Sequence, residues 1–301
     1  MIYDLMIIGG GPAGLSAGLY AARARLSAAV LTDGGGQVTS TSEIENYLGI
    51  ENIDGFELDR LFTEHAVKMG AKIIRGRAEA LSDGGEIKTI KTRDGELSAR
   101  AVILAMGATH RELGLESERR LFGSGVSYCA TCDGAFFRGK TVAVVGGGDT
   151  ALADALYLSN IASHVYLIHR RDAFRASPFL VERAESKGNI RFIMSTVVEE
   201  IYGEDRVKGL KLKNVSNGNI GMIDADGVFV AVGIKPNSVI AEGIVGLDGS
   251  GFIKAGEDCR TDRAGFFAAG DIRTKPLRQI ICAVSDGAVA VESALEYLNR
   301  K

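Results

Sequence analysis

The chain has 301 residues, 46% of them hydrophobic, with 39 glycines, 4 prolines and no tryptophan. That is length enough for two domains, and so much glycine without a collagen-like period suits repeated tight turns between strands and helices. A formal net charge of -3 with no run of like charges excludes a nucleic-acid backbone as partner, no apolar stretch approaches the ~18 residues of a membrane helix, and Asp4 stands where a signal peptide would be basic. The expectation is a cytoplasmic protein with neither nucleic-acid nor membrane partners.

Residues 5–8 form a short apolar run, read as a buried parallel strand, and Gly9-Gly10-Gly11-Pro12-Ala13-Gly14 follows at once. Leu15, Leu19, Ala22 and Leu26 then fall at helical spacing. Strand, glycine turn and helix in this order place a pyrophosphate at a helix N-terminus: Gly9 makes the turn, Gly11 lets backbone approach, and Gly14 packs helix on strand. A second strand over 28–31 ends at Thr32-Asp33, about where an acid reaches ribose hydroxyls; either residue, or a backbone group, could do so. Gly36-Gln37 and the stretch containing Asn46 show no periodicity and read as loops.

Asp54 is placed to cap a helix carrying Phe56, Leu61, Phe62, His65 and Met69 on or near one face, ended by Gly70. Strands follow over 71–74, 86–92 and 96–104, the last two joined by an Asp94-Gly95 turn. From His110 to Gly125 the chain turns polar, which marks a first domain boundary. Beyond it lies Cys129-Ala130-Thr131-Cys132-Asp133-Gly134. Zinc would require a second pair, and Cys259 and Cys282 are isolated with no histidine at finger-like spacing. A CxxC beside a βαβ unit in a cytosolic chain reads as a redox-active pair.

The strand-and-glycine device then recurs as residues 142–151, with Gly146-x-Gly148-Asp149-Thr150-Ala151 and a helix bearing Leu152, Leu156 and Leu158. One such motif is weak evidence; two, each behind a strand and before a helix, are not chance. The next strand, 164–169, ends in His169-Arg170-Arg171 with Arg175 further on. Arginines suit a 2'-phosphate where an acid would suit a free hydroxyl, so the expected cofactor is NADP rather than NAD, a solvated basic turn being the alternative. Strands are expected over 190–195, 209–213 and 227–231, with a hairpin at Asn217-Gly218. A second glycine-rich connection spans 237–251. Gly265 to Asp271 precedes a terminal helix whose stripe Ala283, Gly287, Val291, Ala294 and Leu298 implies close contact with a flat surface or backbone.

Together these residues resemble, over essentially the whole chain, the low-molecular-weight thioredoxin reductases of the pyridine-nucleotide disulfide oxidoreductase superfamily. The resemblance implies an α/β fold of two Rossmann-like, three-layer domains: a discontinuous FAD domain, 1–113 and 246–301, interrupted by an NADPH domain, 114–245, that carries the CxxC. FAD contacts implied are Gly9, Gly11, Pro12, Ala13 and Gly14, Thr32 or Asp33, Gly36, Gln37, Asn46, Gly270, Asp271, Arg278, Gln279 and Ile280. NADPH contacts implied are Gly146, Gly148, Asp149, Thr150, Ala151, His169, Arg170, Arg171 and Arg175. Electrons would pass from NADPH to FAD to the Cys129–Cys132 disulfide and on to thioredoxin, with Cys132 facing the flavin, Cys129 as the exposed thiol attacking the partner and Asp133 as general acid/base. No metal enters this scheme. The resemblance also implies a homodimer, a hinged inserted domain, and no long C-terminal thiol extension. The rival readings are the same chemistry on a glutaredoxin-like redoxin or peroxiredoxin system, and a redox-silent FAD/NADP sensor.

Overall fold

The computed structural model describes residues 1–41 and 43–299; Ser42, Arg300 and Lys301, the last two within the expected 246–301 segment, lie outside the described residues. The chain begins β1 (Ile2–Ile8), α1 (Pro12–Arg23), β2 (Ala28–Thr32), α2 (Gly55–Lys68), β3 (Lys72–Arg75), β4 (Ala78–Gly84), β5 (Ile87–Thr92), β6 (Gly95–Leu104) and β7 (Ala108–His110). It continues through α3 (Glu116–Arg120), β8 (Val126–Ser127), α4 (Ala130–Asp133), β9 (Thr141–Gly146), α5 (Asp149–Leu158), β10 (His164–Ile168), α6 (Pro178–Glu185) and β11 (Ile190–Ile193). The remainder is β12 (Thr196–Tyr202), β13 (Gly209–Asn214), β14 (Ile220–Asp224), β15 (Gly227–Ala231), β16 (Ile234–Pro236), β17 (Phe266–Ala268) and α7 (Ile280–Asn299).

Two compact units result, one discontinuous (Met1–Thr109 with Lys235–Lys301) and one inserted (His110–Ile234). Both crossings fall earlier than the 113/114 and 245/246 expected from the resemblance. Apolar residues inside the polar connections decide this: Leu113 packs into the inserted unit's core, while Ala241 and Val245 are buried in the discontinuous unit beside Ile253.

In the discontinuous unit β3, β2, β1 and β6 run parallel in that order. Leu5, Met6 and Ile7 of β1 are fully buried, as a strand covered on both faces requires. The ten-residue β6 serves two neighbours on its other edge: β5, antiparallel, along its first half, and β17, parallel, along Val102–Leu104. That second pairing returns the C-terminal stretch to the glycine turn after β1. Asp54 caps α2 as expected, its carboxylate accepting from the amides of Phe56 and Glu57. The expected apolar face of α2 is corrected, however: Gly55, Leu58 and Ala66 are buried, while Phe56 is 68% exposed. Helical spacing alone had two registers to choose from, and large side chains do not settle which one faces inward.

The inserted unit repeats the device with an all-parallel sheet in the order β11-β10-β9-β15-β8. A separate antiparallel meander, β12-β13-β14, turns between its last strands through Asn214–Asn219, where Gly218 takes φ +75°. Every residue of the expected α7 stripe is buried, including Ala283, Gly287, Val291, Ala294 and Leu298.

Candidate active site

The glycine loop of the discontinuous unit is built by close approach. A methyl group at Gly9 would lie 2.3 Å from the Ala105 carbonyl oxygen, and one at Gly14 would lie 1.8 Å from the Gly9 carbonyl oxygen. Gly11 differs: its neighbourhood holds only the Gly35 carbonyl, at 3.6 Å, so its backbone faces space that a ligand can enter. Pro12 opens α1 where a missing N–H costs nothing. Thr32 lies against Gly10, and its hydroxyl both donates to the Gly34 carbonyl (2.7 Å) and accepts from the Gly34 amide (3.0 Å). Asp33 instead points outward, 4.0 Å from Arg77. Beneath the same loop, the Asp59 carboxylate of α2 lies against Gly35 with a buried oxygen that has no partner among the described residues. Burial raises its pKa and Arg75 opposes that.

Four more of the expected flavin residues belong to the same unit. Gly36 opens a 3-10 helix over Gly36–Ser40 and Gln37 donates to the Ala108 carbonyl, while the Asn46 amide donates to the side-chain oxygen of Gln279 at 3.1 Å. Asn46 and Gln279 are 233 residues apart in sequence. Gly270, at φ +78°, has Ala13 as its nearest side chain, and Asp271 follows with a buried Oδ1 that lacks a partner among the described residues. Burial raises the Asp271 pKa against the pull of Lys275 and Arg278. Arg278 is committed to its own loop, donating to the carbonyls of Lys275 (3.2 Å) and Arg273 (3.3 Å) and stacking 4.2 Å over Phe252. Ile280 begins α7 against Val38, Ile44 and Leu58. An orphaned carboxylate oxygen and an open glycine fit a polyol and a pyrophosphate, so the residues present suit a flavin dinucleotide.

In the inserted unit Cys129 and Cys132 form a disulfide, their Cα atoms 5.3 Å apart. Cys129 N-caps α4, its sulfur 3.2 Å from the Cys132 amide, and Asp133 ends that helix half-buried. The expected exposure is corrected: Cys132 is exposed and Cys129 half-buried, its sulfur turned to the Cys132 amide as the cap of α4. The approach to the pair is held firmly. The Cys129 amide donates to Ser127 Oγ (3.0 Å), and the Tyr128 hydroxyl donates to Glu118 (2.9 Å), a buried carboxylate that also accepts from the amides of Leu113 and Gly114. Burial, with Glu118 beside it, pushes the Tyr128 pKa well up. Behind α4, Gly134 lies against Leu158 and Tyr157, which seats the cysteines on the end of α5.

The second glycine loop leads into that same α5. A methyl at Gly146 would lie 2.4 Å from the Ala231 carbonyl oxygen, and one at Gly147 would lie 2.1 Å from His169 Nδ1, whereas Gly148 has open space. Asp149 accepts from the Ser177 amide at 2.7 Å, and the Arg175 amide donates to the Gly147 carbonyl at 2.8 Å. Thr150 and Ala151 form the first turn of α5, with Ala151 fully buried. His169 is buried and stacked on Phe174, its Nε2 unpartnered among the described residues. Burial, then Arg175, Arg171 and Arg170, hold its pKa low. Those three arginines are exposed and pair with no carboxylate among the described residues, which suits a phosphate-bearing nucleotide.

Comparison with known proteins agrees with this layout. The profile of the pyridine nucleotide-disulphide oxidoreductase family matches residues 3–287. The chain belongs to that family. A thioredoxin reductase of Bacillus subtilis is 43% identical over 300 residues, spanning 99% of this chain and 95% of that protein. The crystal structure of thioredoxin reductase from Streptococcus pyogenes superposes with a TM-score of 0.95 at 42% identity, covering 100% of this chain and 99% of that one. A bifunctional thioredoxin reductase/thioredoxin of Mycobacterium leprae is 43% identical over 302 residues, and this chain spans 66% of it. Among the described residues no helix is long and apolar enough to cross a membrane. Asp59, half-buried under the first loop, and the buried Asp286 of α7 escaped the sequence reading because neither lies in a motif; only their tertiary neighbours mark them.

Proposed function

We propose that this oxidoreductase is an NADPH-dependent thioredoxin reductase, the discontinuous unit holding FAD and the inserted unit holding NADPH. What carries the reading is the Cys129–Cys132 disulfide, seated against the end of a helix whose start is a dinucleotide loop flanked by three exposed arginines. Bound NADPH and flavin would supply two electrons to that disulfide. The chain's residues do the rest. Reduction takes two electrons and two protons and yields two thiols, of which the Cys129 thiolate attacks a disulfide on the partner. Cys132 then displaces the reduced partner from the mixed disulfide and the internal bond re-forms. Asp133, the acid adjacent to the pair, is proposed to hold and return the proton.

For the cofactors, Gly9, Gly11, Pro12, Ala13 and Gly14 would face the FAD pyrophosphate, Asp271 the flavin side, and Gly36, Gln37, Asn46, Arg278, Gln279 and Ile280 would shape the rest. With the Thr32 hydroxyl committed to Gly34, Asp33 is the side chain left for the ribose. Arg170, Arg171 and Arg175 would take the 2'-phosphate of NADPH, with Gly146, Gly148, Asp149, Thr150, Ala151 and His169 around its pyrophosphate. The nicotinamide and the dithiol would use the flavin in turn, through movement of the inserted unit. Thioredoxin as partner is supported by the Mycobacterium leprae relative, whose name joins the two activities in one chain. A cytoplasmic homodimer is the proposed assembly, checked by sedimentation.

The test is Cys132→Ser. It should abolish NADPH-driven reduction of thioredoxin, by about a thousandfold or more, while flavin reduction by NADPH persists. Wild-type turnover by that variant would refute the electron route.

A further inference from the structure

Gly9–Gly14 and Gly270–Asp271 are far apart in sequence, and α7 is what joins them. A methyl at Gly287 would lie 2.2 Å from the Ala13 carbonyl oxygen and 2.9 Å from the Ala17 amide nitrogen, so α7 rests directly on the first turn of α1. Gly270 lies against the same Ala13. The residue before Gly287 is Asp286, 6% exposed. Its Oδ2 accepts from the Gly270 amide, Arg273 Nε and Lys275 Nζ, each at 2.8 Å, and its Oδ1 accepts from Arg273 Nη2 at 2.9 Å. Arg273 Nη1 reaches on to the carbonyls of Ala255, Gly256 and Thr274. A single carboxylate on α7 therefore fixes the amide immediately before Asp271 and neutralises part of the charge of two almost fully buried cations.

We infer that Asp286 is the positioning residue of the FAD site: it holds the Gly270–Asp271 turn against α1 and keeps Lys275 from drawing the Asp271 carboxylate away from the cofactor. This rests on the reading of Gly9–Gly14 and Asp271 as the two ends of that site. Lys275 already pulls electrostatically on Asp271, whose Oδ1 has no partner among the described residues. Without the charge of Asp286, the buried cations Arg273 and Lys275 lose their anion, and Asp271 is the carboxylate Lys275 acts on next.

The experiment measures FAD affinity of the flavin-free protein by quenching of FAD fluorescence, and ADP affinity at the same site by competition against FAD. ADP reports on the Gly9–Gly14 end alone. Asp271→Ala should weaken FAD and leave ADP unchanged; an unchanged FAD affinity would overturn the site reading and the inference with it. Asp286→Asn should weaken FAD about tenfold or more, with ADP within about twofold of wild type. Asp286→Asn combined with Lys275→Met should recover most of that loss, because the displaced cation is gone. Wild-type FAD affinity in Asp286→Asn, equal loss of FAD and ADP, or a double variant weaker than the single would each overturn the inference. Lys275→Met alone, which leaves the bonds from Gly270 and Arg273 intact, should bind FAD within about twofold of wild type; a tenfold loss there would also overturn it.

Discussion

The two glycine loops share a backbone plan and differ in how far the chain must travel to complete them. Apart from the Ala231 carbonyl against Gly146, the second is finished locally: Gly147 accepts from Arg175, Asp149 accepts from Ser177, and His169 fills the space behind Gly147, these within about thirty residues. The first is finished by α7 and β17, from the other end of the sequence. Charge differs as well. The strand after the first loop ends in a hydroxyl turned inward and an exposed acid, and the strand after the second ends in exposed arginines. One device has thus been used twice, completed by nearby residues in the inserted unit and by distant ones in the discontinuous unit.

Exchange at the third loop position should have the largest effect. Gly14→Ala drives a methyl into the Gly9 carbonyl and should cost about 3 kcal/mol and most FAD binding, whereas the reverse change, Ala151→Gly, should cost only about 1–2 kcal/mol. Chemical denaturation of the two variants reads the asymmetry, and equal losses would break the comparison. Next, Arg170→Ala with Arg171→Ala should raise the KM for NADPH by about ten- to a hundredfold and leave that for NADH unchanged, as steady-state kinetics with each nucleotide will report.

Asp154 sharpens the contrast from the side of α5. Burial pushes its pKa up to about 7. A raised carboxyl pKa means stability that is complete below about pH 4 and lost as pH rises toward 7. Asp154→Asn should therefore stabilise the protein more at pH 8 than at pH 5, by roughly 1–3 kcal/mol, seen as a pH-dependent gap in Tm. The smallest effect belongs to Asp33, 65% exposed at its side chain. Asp33→Ala should leave stability within about 0.5 kcal/mol while lowering FAD affinity about fivefold, read by fluorescence titration.

The local device was legible in the sequence, and its completion was not. Gly9–Gly14, Gly146–Ala151, the capping Asp54 and the small-residue stripe of α7 each carry a pattern that backbone geometry enforces within a few residues. Strands β4 and β14 do not, because their faces are largely solvated and carry no apolar run. Phe56 misled for the opposite reason, a large apolar residue left at the surface by the register of its helix. Arg273 and Asp286 are a tertiary pair, and nothing in their spacing announces a buried charge cluster. The family resemblance was readable because motifs are local; the acids that steady them were visible only once the chain was folded.

The central claim is a route from NADPH to the Cys129–Cys132 disulfide, and anaerobic mixing tests it most directly. The flavin-loaded protein is mixed with NADPH or NADH while flavin absorbance is followed, and thiols are counted after thioredoxin is added. The account predicts rapid bleaching by NADPH in preference to NADH, with two new thiols on each thioredoxin reduced. Bleaching with no thiols on thioredoxin would contradict the assigned partner, and no bleaching by either nucleotide would contradict the assignment of Arg170, Arg171 and Arg175.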